Sequence, residues 1–95
     1  MDILFRGVKY TVKLDQYPIG NGVAIMLVNK EDEDDVEVVS VNMPGKVGDG
    51  KVAIKDYSEY EGILDVLVTA GVVSDPVCYV QSGFVSIPVC AVTHA

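Results

Sequence analysis

An α+β fold follows from three features of this 95-residue chain. One stretch carries helix start and stop signals, several others repeat apolar residues at strand spacing, and turn residues separate them. The helical stretch runs from Lys55 to Gly71. Within it Ser58 and Glu61 form an S-x-x-E capping box, in which hydroxyl and carboxylate each satisfy an otherwise orphaned backbone N–H. Gly71 supplies the left-handed residue that ends a helix. Ile63, Leu64, Leu67 and Val68 fall on one stripe of a 3.6-residue helix, so that stripe faces a core. The expectation is one helix over about residues 58–70, packed on one face of a curved antiparallel sheet of about five to six strands, in a single domain spanning residues 1–95.

Taken in order, a short apolar piece, Ile3 to Phe5, precedes a clear alternation. Val8, Tyr10, Val12 and Leu14 interleave with Lys9, Thr11, Lys13 and Asp15, the pattern of a strand with one wet face. Tyr17 to Gly22 is dense in turn residues, and Asn21-Gly22 tolerates the positive φ of a hairpin. Val23 to Val28 is apolar on both faces and reads as a central strand with two covers. The helix is one; the amino-terminal segment or a second copy of the chain is the other. After the acidic run Glu31 to Asp35 come strand-like Val36 to Met43, a Gly-rich loop over 44–51, and a short strand, Val52 to Ile54. Val77 to Val80 and Phe84 to Thr93 close the sheet around a Gln81-Ser82-Gly83 turn. Pro88 cannot donate to a ladder, which places its strand at an edge or at a bulge.

Composition sets the functional bounds. Seven Lys and Arg against 14 Asp and Glu leave a net charge of -7. All the cations lie at or before Lys55, so residues 1–55 carry -2 and the rest, with Asp56, Glu59, Glu61, Asp65 and Asp75, carries -5. A helix surface without cations argues against nucleic-acid binding, whose affinity comes from Lys and Arg displacing counterions. It suits docking onto a basic protein surface, or solubility alone. No apolar run reaches the roughly 18 residues that span a bilayer, and the start lacks the basic and apolar regions of a signal peptide. The expected location is cytoplasmic. Cys78 and Cys90 have neither C-x-x-C spacing nor companion histidines, so they read as reduced, buried thiols rather than metal ligands.

Several motifs invite chemistry, and each is answered by its context. The run Glu31, Asp32, Glu33, Asp34, Asp35 lacks the Gly and distal Glu of an EF-hand loop and passes directly into a strand; it reads as a solvated hairpin tip, with an acidic docking patch as the alternative. Gly45, Gly50 and Lys51 reproduce G-x-x-x-x-G-K, yet Val52 stands where Ser or Thr should hold magnesium, and a strand follows where the motif needs a helix. Glu61 and Asp65, at i and i+4, form a solvated acidic face more readily than a paired-acid site. His94 lies one residue from the carboxyl end and reads as freely solvated. Tyr57 and Tyr60 flank the helix start, where their rings cover the core's edge. No nucleophile, base and orienting group can be assembled, so neither an enzyme nor a cofactor is expected.

Lys55-Asp56-Tyr57-Ser58-Glu59-Tyr60-Glu61-Gly62-Ile63-Leu64, the Ala70-Gly71-Val72-Val73 ending, Ser82 to Cys90, and a Gly20-Asn21 turn before an apolar strand carry a resemblance. Together they resemble a family of small proteins of unknown function from bacterial phages and integrative or conjugative elements. The match is loose over most of the chain and good over residues 55–90. It implies no catalytic residues. What it implies is context, because short accessory proteins of mobile elements often act against host defence. The leading expectation is therefore a non-enzymatic inhibitor that presents Asp56, Glu59, Asp65 and the tip acids Glu31 to Asp35 to a basic host protein. A sponge for a small signalling nucleotide, using Arg6, Lys46, Lys51 and Lys55 as anion ligands, is the alternative; a structural or assembly role in the mobile element is another.

Overall fold

A computed structural model describes residues 1–20 and 22–93. Asn21 of the expected Asn21-Gly22 turn, and His94, lie outside the described residues. The alternating segment forms β2 (Val8–Gln16), against which β1 (Asp2–Phe5) runs antiparallel with Ile3 opposite Tyr10 and Phe5 opposite Val8. Arg6 and Gly7 make the two-residue turn between them with φ of 52° and 80°. Two positive φ angles are the signature of the type I′ hairpin, whose twist matches that of the strands. β3 (Val23–Asn29) is the expected central strand, flanked by β2 and by β4 (Val36–Val38).

The chain then changes sheet. β5 (Ser40–Val41), β6 (Lys51–Ile54), β7 (Val73–Ser82) and β8 (Val85–Val92) build a second antiparallel sheet in the order β5-β6-β8-β7. The corner is Val39. Its N–H donates to the Ile25 carbonyl of the first sheet at 3.0 Å, and its carbonyl accepts the Lys55 N–H beside the second at 2.8 Å. Ser40 secures the bend, its hydroxyl accepting the Ile25 N–H at 3.0 Å while bonding Tyr17 Oη at 2.8 Å. The expected single curved sheet of five to six strands is thus corrected to two four-stranded sheets joined by one bent strand, within the expected antiparallel α+β class. A strand that switches sheets lets both sheets turn an apolar face to one core.

That core holds Ile3, Phe5, Ile25, Leu27, Val39, Val52, Ile54, Ile63, Leu67, Val72, Val73 and Cys90. The helix, α1 (Ile63–Thr69), lies against β1 and β7, the outermost strands of the two sheets, and so bridges them instead of lying on the face of one sheet. Ile63 and Leu67 are fully buried by it. The helix is also shorter than expected, because Ser58–Tyr60 is a separate 3₁₀ turn and Gly62, at φ 98°, starts the helix afresh. Arg6 explains the break. Its guanidinium donates from Nη1 to the Glu59 carbonyl at 2.7 Å and from Nη2 to the Glu61 carbonyl at 2.9 Å, taking acceptors that a continuous helix would use internally. The expected Ser58–Glu61 capping box does not form; Asp56 Oδ1 accepts the Gly62 and Leu64 N–H groups at 2.9 and 3.0 Å instead. The stop signal holds. Gly71, at φ 78°, donates to Val68 and Val72 to Leu67, the paired bonds of a Schellman ending.

Three further expectations are corrected. The amino-terminal segment lies in the plane of the first sheet as β1, so it does not form the second cover of β3. Pro88 lies on the inner strand β8 between β6 and β7, and the two register shifts fall on β7 around Pro76. Pairing of β6 with β8 stops at Ala53 opposite Val89, one residue short of the proline, so the missing donor interrupts nothing. Cys78 is exposed, whereas Cys90 is buried as expected.

Candidate functional site

The most connected polar cluster surrounds the Arg6–Gly7 turn. Arg6 stacks 5.1 Å from the Phe5 ring while it holds the two carbonyls, and a cleft of about 160 Å³ opens beside it, lined by Phe5, Arg6, Tyr10, Glu37, Glu59 and Tyr60. Tyr60 donates its hydroxyl to Glu37. Burial, then the bond to Glu37 and its charge, push the Tyr60 phenol well above its ordinary value; burial, Asp35 and Glu37 raise that of Tyr10. Lys55 places its ammonium 5.0 Å from the Tyr60 ring and 3.1 Å from Glu59 Oε1. Bonds to its own backbone and to Lys55 hold the Glu59 carboxyl below its ordinary range. Each charge here is matched to a neighbour, so the cluster anchors the helix start to the β1–β2 turn. Tyr57 and Tyr60 are partly buried against the apolar clusters, as expected.

The sequence-predicted acids are distributed unequally. Asp56 is half-buried and caps α1, and Glu59 is exposed but paired with Lys55, so both carboxylates already have partners within the chain. Glu31, Asp32, Glu33 and Asp34 stand exposed on the turn between β3 and β4. Local bonds shape this tip: the Glu31 N–H donates to Asn29 Oδ1 at 2.9 Å, the Asp34 N–H to Asp32 Oδ1 at 3.1 Å, and Asn29 Nδ2 to Asp35 Oδ2 at 3.2 Å. Asp35 is half-buried. Lys30 bridges to Asp2 at 2.5 Å, tying the tip to the amino-terminal strand and lowering the Asp2 carboxyl below its ordinary value. Among the described residues no three His, Cys, Asp or Glu side chains converge as metal ligands.

The candidate cations lie on different elements. Arg6 and Lys55 belong to the helix-start cluster, Lys51 opens β6 and Lys55 follows its end, so these two stand roughly 13 Å apart along an extended chain. Lys46 lies on the 44–50 loop, where its N–H donates to Met43 and that of Lys51 to Gly48; the loop then runs into a strand, as its sequence indicates. Comparison with protein-family models, curated proteins and solved structures finds no match to this chain. The surface must therefore be read from its own chemistry.

One feature escapes sequence reasoning. Between β1 and α1 lies a groove of about 380 Å³ lined by Asp2, Ile3, Leu4, Asp65, Val66, Thr69 and Ala70. Ile3 is 6% exposed and faces the core, whereas Leu4 is 59% exposed. Asp65, the remaining helix acid, is exposed at this groove, and its carboxylate has no ion pair or hydrogen bond among the described residues. Only the Ile3-Leu4-Phe5 triplet hints at it, with one apolar side chain too many for a one-sided strand.

Proposed function

We propose that the protein is a non-enzymatic binding protein that occupies a basic surface on another protein, and that this partner is a host defence component opposed by a mobile element. The observation that carries the reading is the exposed tip, where four consecutive acids, Glu31, Asp32, Glu33 and Asp34, project from a turn pinned at both ends by hydrogen bonds and by the Lys30–Asp2 bridge. A pre-shaped turn presents these charges with little ordering cost. Asp65 adds a further unpaired carboxylate, while Asp56 and Glu59 contribute structure. The defence context rests on the sequence resemblance alone.

Attraction of this kind fades as the Debye length shrinks from about 8 Å at physiological salt to about 3 Å at 1 M. Affinity capture from bacterial host extract with the full chain should retain a basic protein at low salt and release it at high salt. Replacing Glu31, Asp32, Glu33 and Asp34 by lysine should abolish that capture. Retention that is unchanged by salt and by the four replacements would remove the reading.

A further inference from the structure

We propose that the groove between β1 and α1 is a strand-addition site, which takes an extended segment of a partner protein, alternating apolar residues with lysine or arginine, alongside β1. The backbone supplies the first reason. A two-residue hairpin closes on a hydrogen-bonded pair, here Phe5 with Val8, and such pairs then alternate along the ladder. Ile3 with Tyr10 is the next, and the Val12 N–H donating to the Met1 carbonyl at 2.8 Å continues the series. Asp2 and Leu4 therefore aim their N–H and C=O groups away from β2, toward the groove. Among the described residues no hydrogen bond within the chain takes them up.

The sheet edges are blunted to different degrees, and β1, itself only four residues long and with α1 against it, still keeps its outward backbone groups unbonded among the described residues. β7 carries Pro76 and two register shifts, and β4 is only three residues long. β1 has neither proline nor bulge, and Lys30 and Thr11 draw the Asp2 carboxylate to the sheet's own surface. A helix beside an open edge makes a two-walled slot: main-chain bonds hold the added strand, while alternate side chains fill the space against the helix. Val66, Thr69 and Ala70 form that wall, and two of them are small enough for a backbone to approach.

Charge chooses the occupant. Asp65, whose carboxylate has no partner among the described residues, borders an otherwise apolar slot while Asp2 is already held by Lys30, so a lysine or arginine one residue away from an apolar side chain is complementary to Asp65. A second copy pairing through the same edge would offer its own β1, which brings no lysine or arginine to Asp65, and its lysine-bearing β2 is already paired on both sides. This site shares Asp65 with the function proposed above but does not use the acidic tip that carries it, so lysine replacements at the tip tell the two apart.

A displayed library of random peptides, selected on the full chain, tests it. Enriched peptides should alternate apolar and basic residues, and their titration should shift the backbone amide resonances of residues 2–4 and 65–70. Leu4→Pro removes an outward N–H while leaving the β1–β2 bonds intact, and should weaken binding about tenfold or more. Asp65→Lys should weaken it by about three- to tenfold. Lysine replacements at the tip should leave it unchanged. Should Leu4→Pro not fold, N-methylation of alternate amides in an enriched peptide makes the same cut from the ligand side, abolishing binding in one register and sparing it in the other. Selection of no common sequence, or peptides indifferent both to Asp65→Lys and to N-methylation in either register, would overturn the proposal.

Discussion

Asp56 shows how one side chain redirects a helix. Its carboxylate serves two N–H groups of α1, so Asp56→Ala should cost about 1–2 kcal/mol in chemical denaturation. Ser58, at φ 53° with no capping bond, should tolerate alanine within about 1 kcal/mol. Equal losses at the two positions would restore the capping box. Tyr60 makes a second residue-scale prediction. Its phenol is raised in the folded chain by burial and by Glu37, so the folded state keeps a proton that the unfolded state surrenders above a pH of about 10. The stability tied to this group is intact below that pH and falls as pH rises toward the folded value. Tyr60→Phe should flatten this alkaline loss in pH-dependent unfolding. At neutral pH it should cost about 1–3 kcal/mol, since Glu37 loses its donor.

Elements formed where local pattern and global packing agreed. β2 was legible because its alternation leaves one side-chain phase compatible with burial, and β3 because a continuous apolar run suits an inner strand paired on both edges. The β4–β5 bend was less legible, although Val39 and Ser40 are both buried and break the alternation of the preceding Val36-Glu37-Val38. Because the Ser40 hydroxyl is the acceptor for the Ile25 N–H, Ser40→Ala leaves that amide orphaned at the corner. A loss of about 1–3 kcal/mol is expected, measured against Ser40→Thr, which keeps the acceptor. The helix length was misread for a reason outside its own segment. Arg6, more than fifty positions away in sequence, claims the carbonyls at its start.

Across the whole molecule, the two cysteines report opening of the fold. Cys78 is exposed, whereas Cys90 is buried in the core between the sheets, where burial pushes its thiol up to about 11. An exposed thiol exchanges with a disulfide reagent through its thiolate, and a buried one must wait for unfolding. At pH 8 one thiol should react quickly and the second at the rate of global opening; two fast reactions would contradict the packing of β8 against β6 and β7. The charge pattern is also a property of the whole. The -7 is read directly from composition, yet only the fold separates acids that cap or pair from those left outward.

By itself the sequence determined the class of fold, the central strand, the glycine that stops the helix, the acidic turn and the strand that follows the Gly-rich loop, because each depends on neighbours within a few residues. The division into two sheets, the replacement of the Ser58 cap by Asp56 and the open edge of β1 beside α1 were decided by the tertiary structure. Those features depend on hydrogen-bond donors and acceptors that meet only after the chain has doubled back, and a one-dimensional pattern does not encode which backbone groups are left without partners.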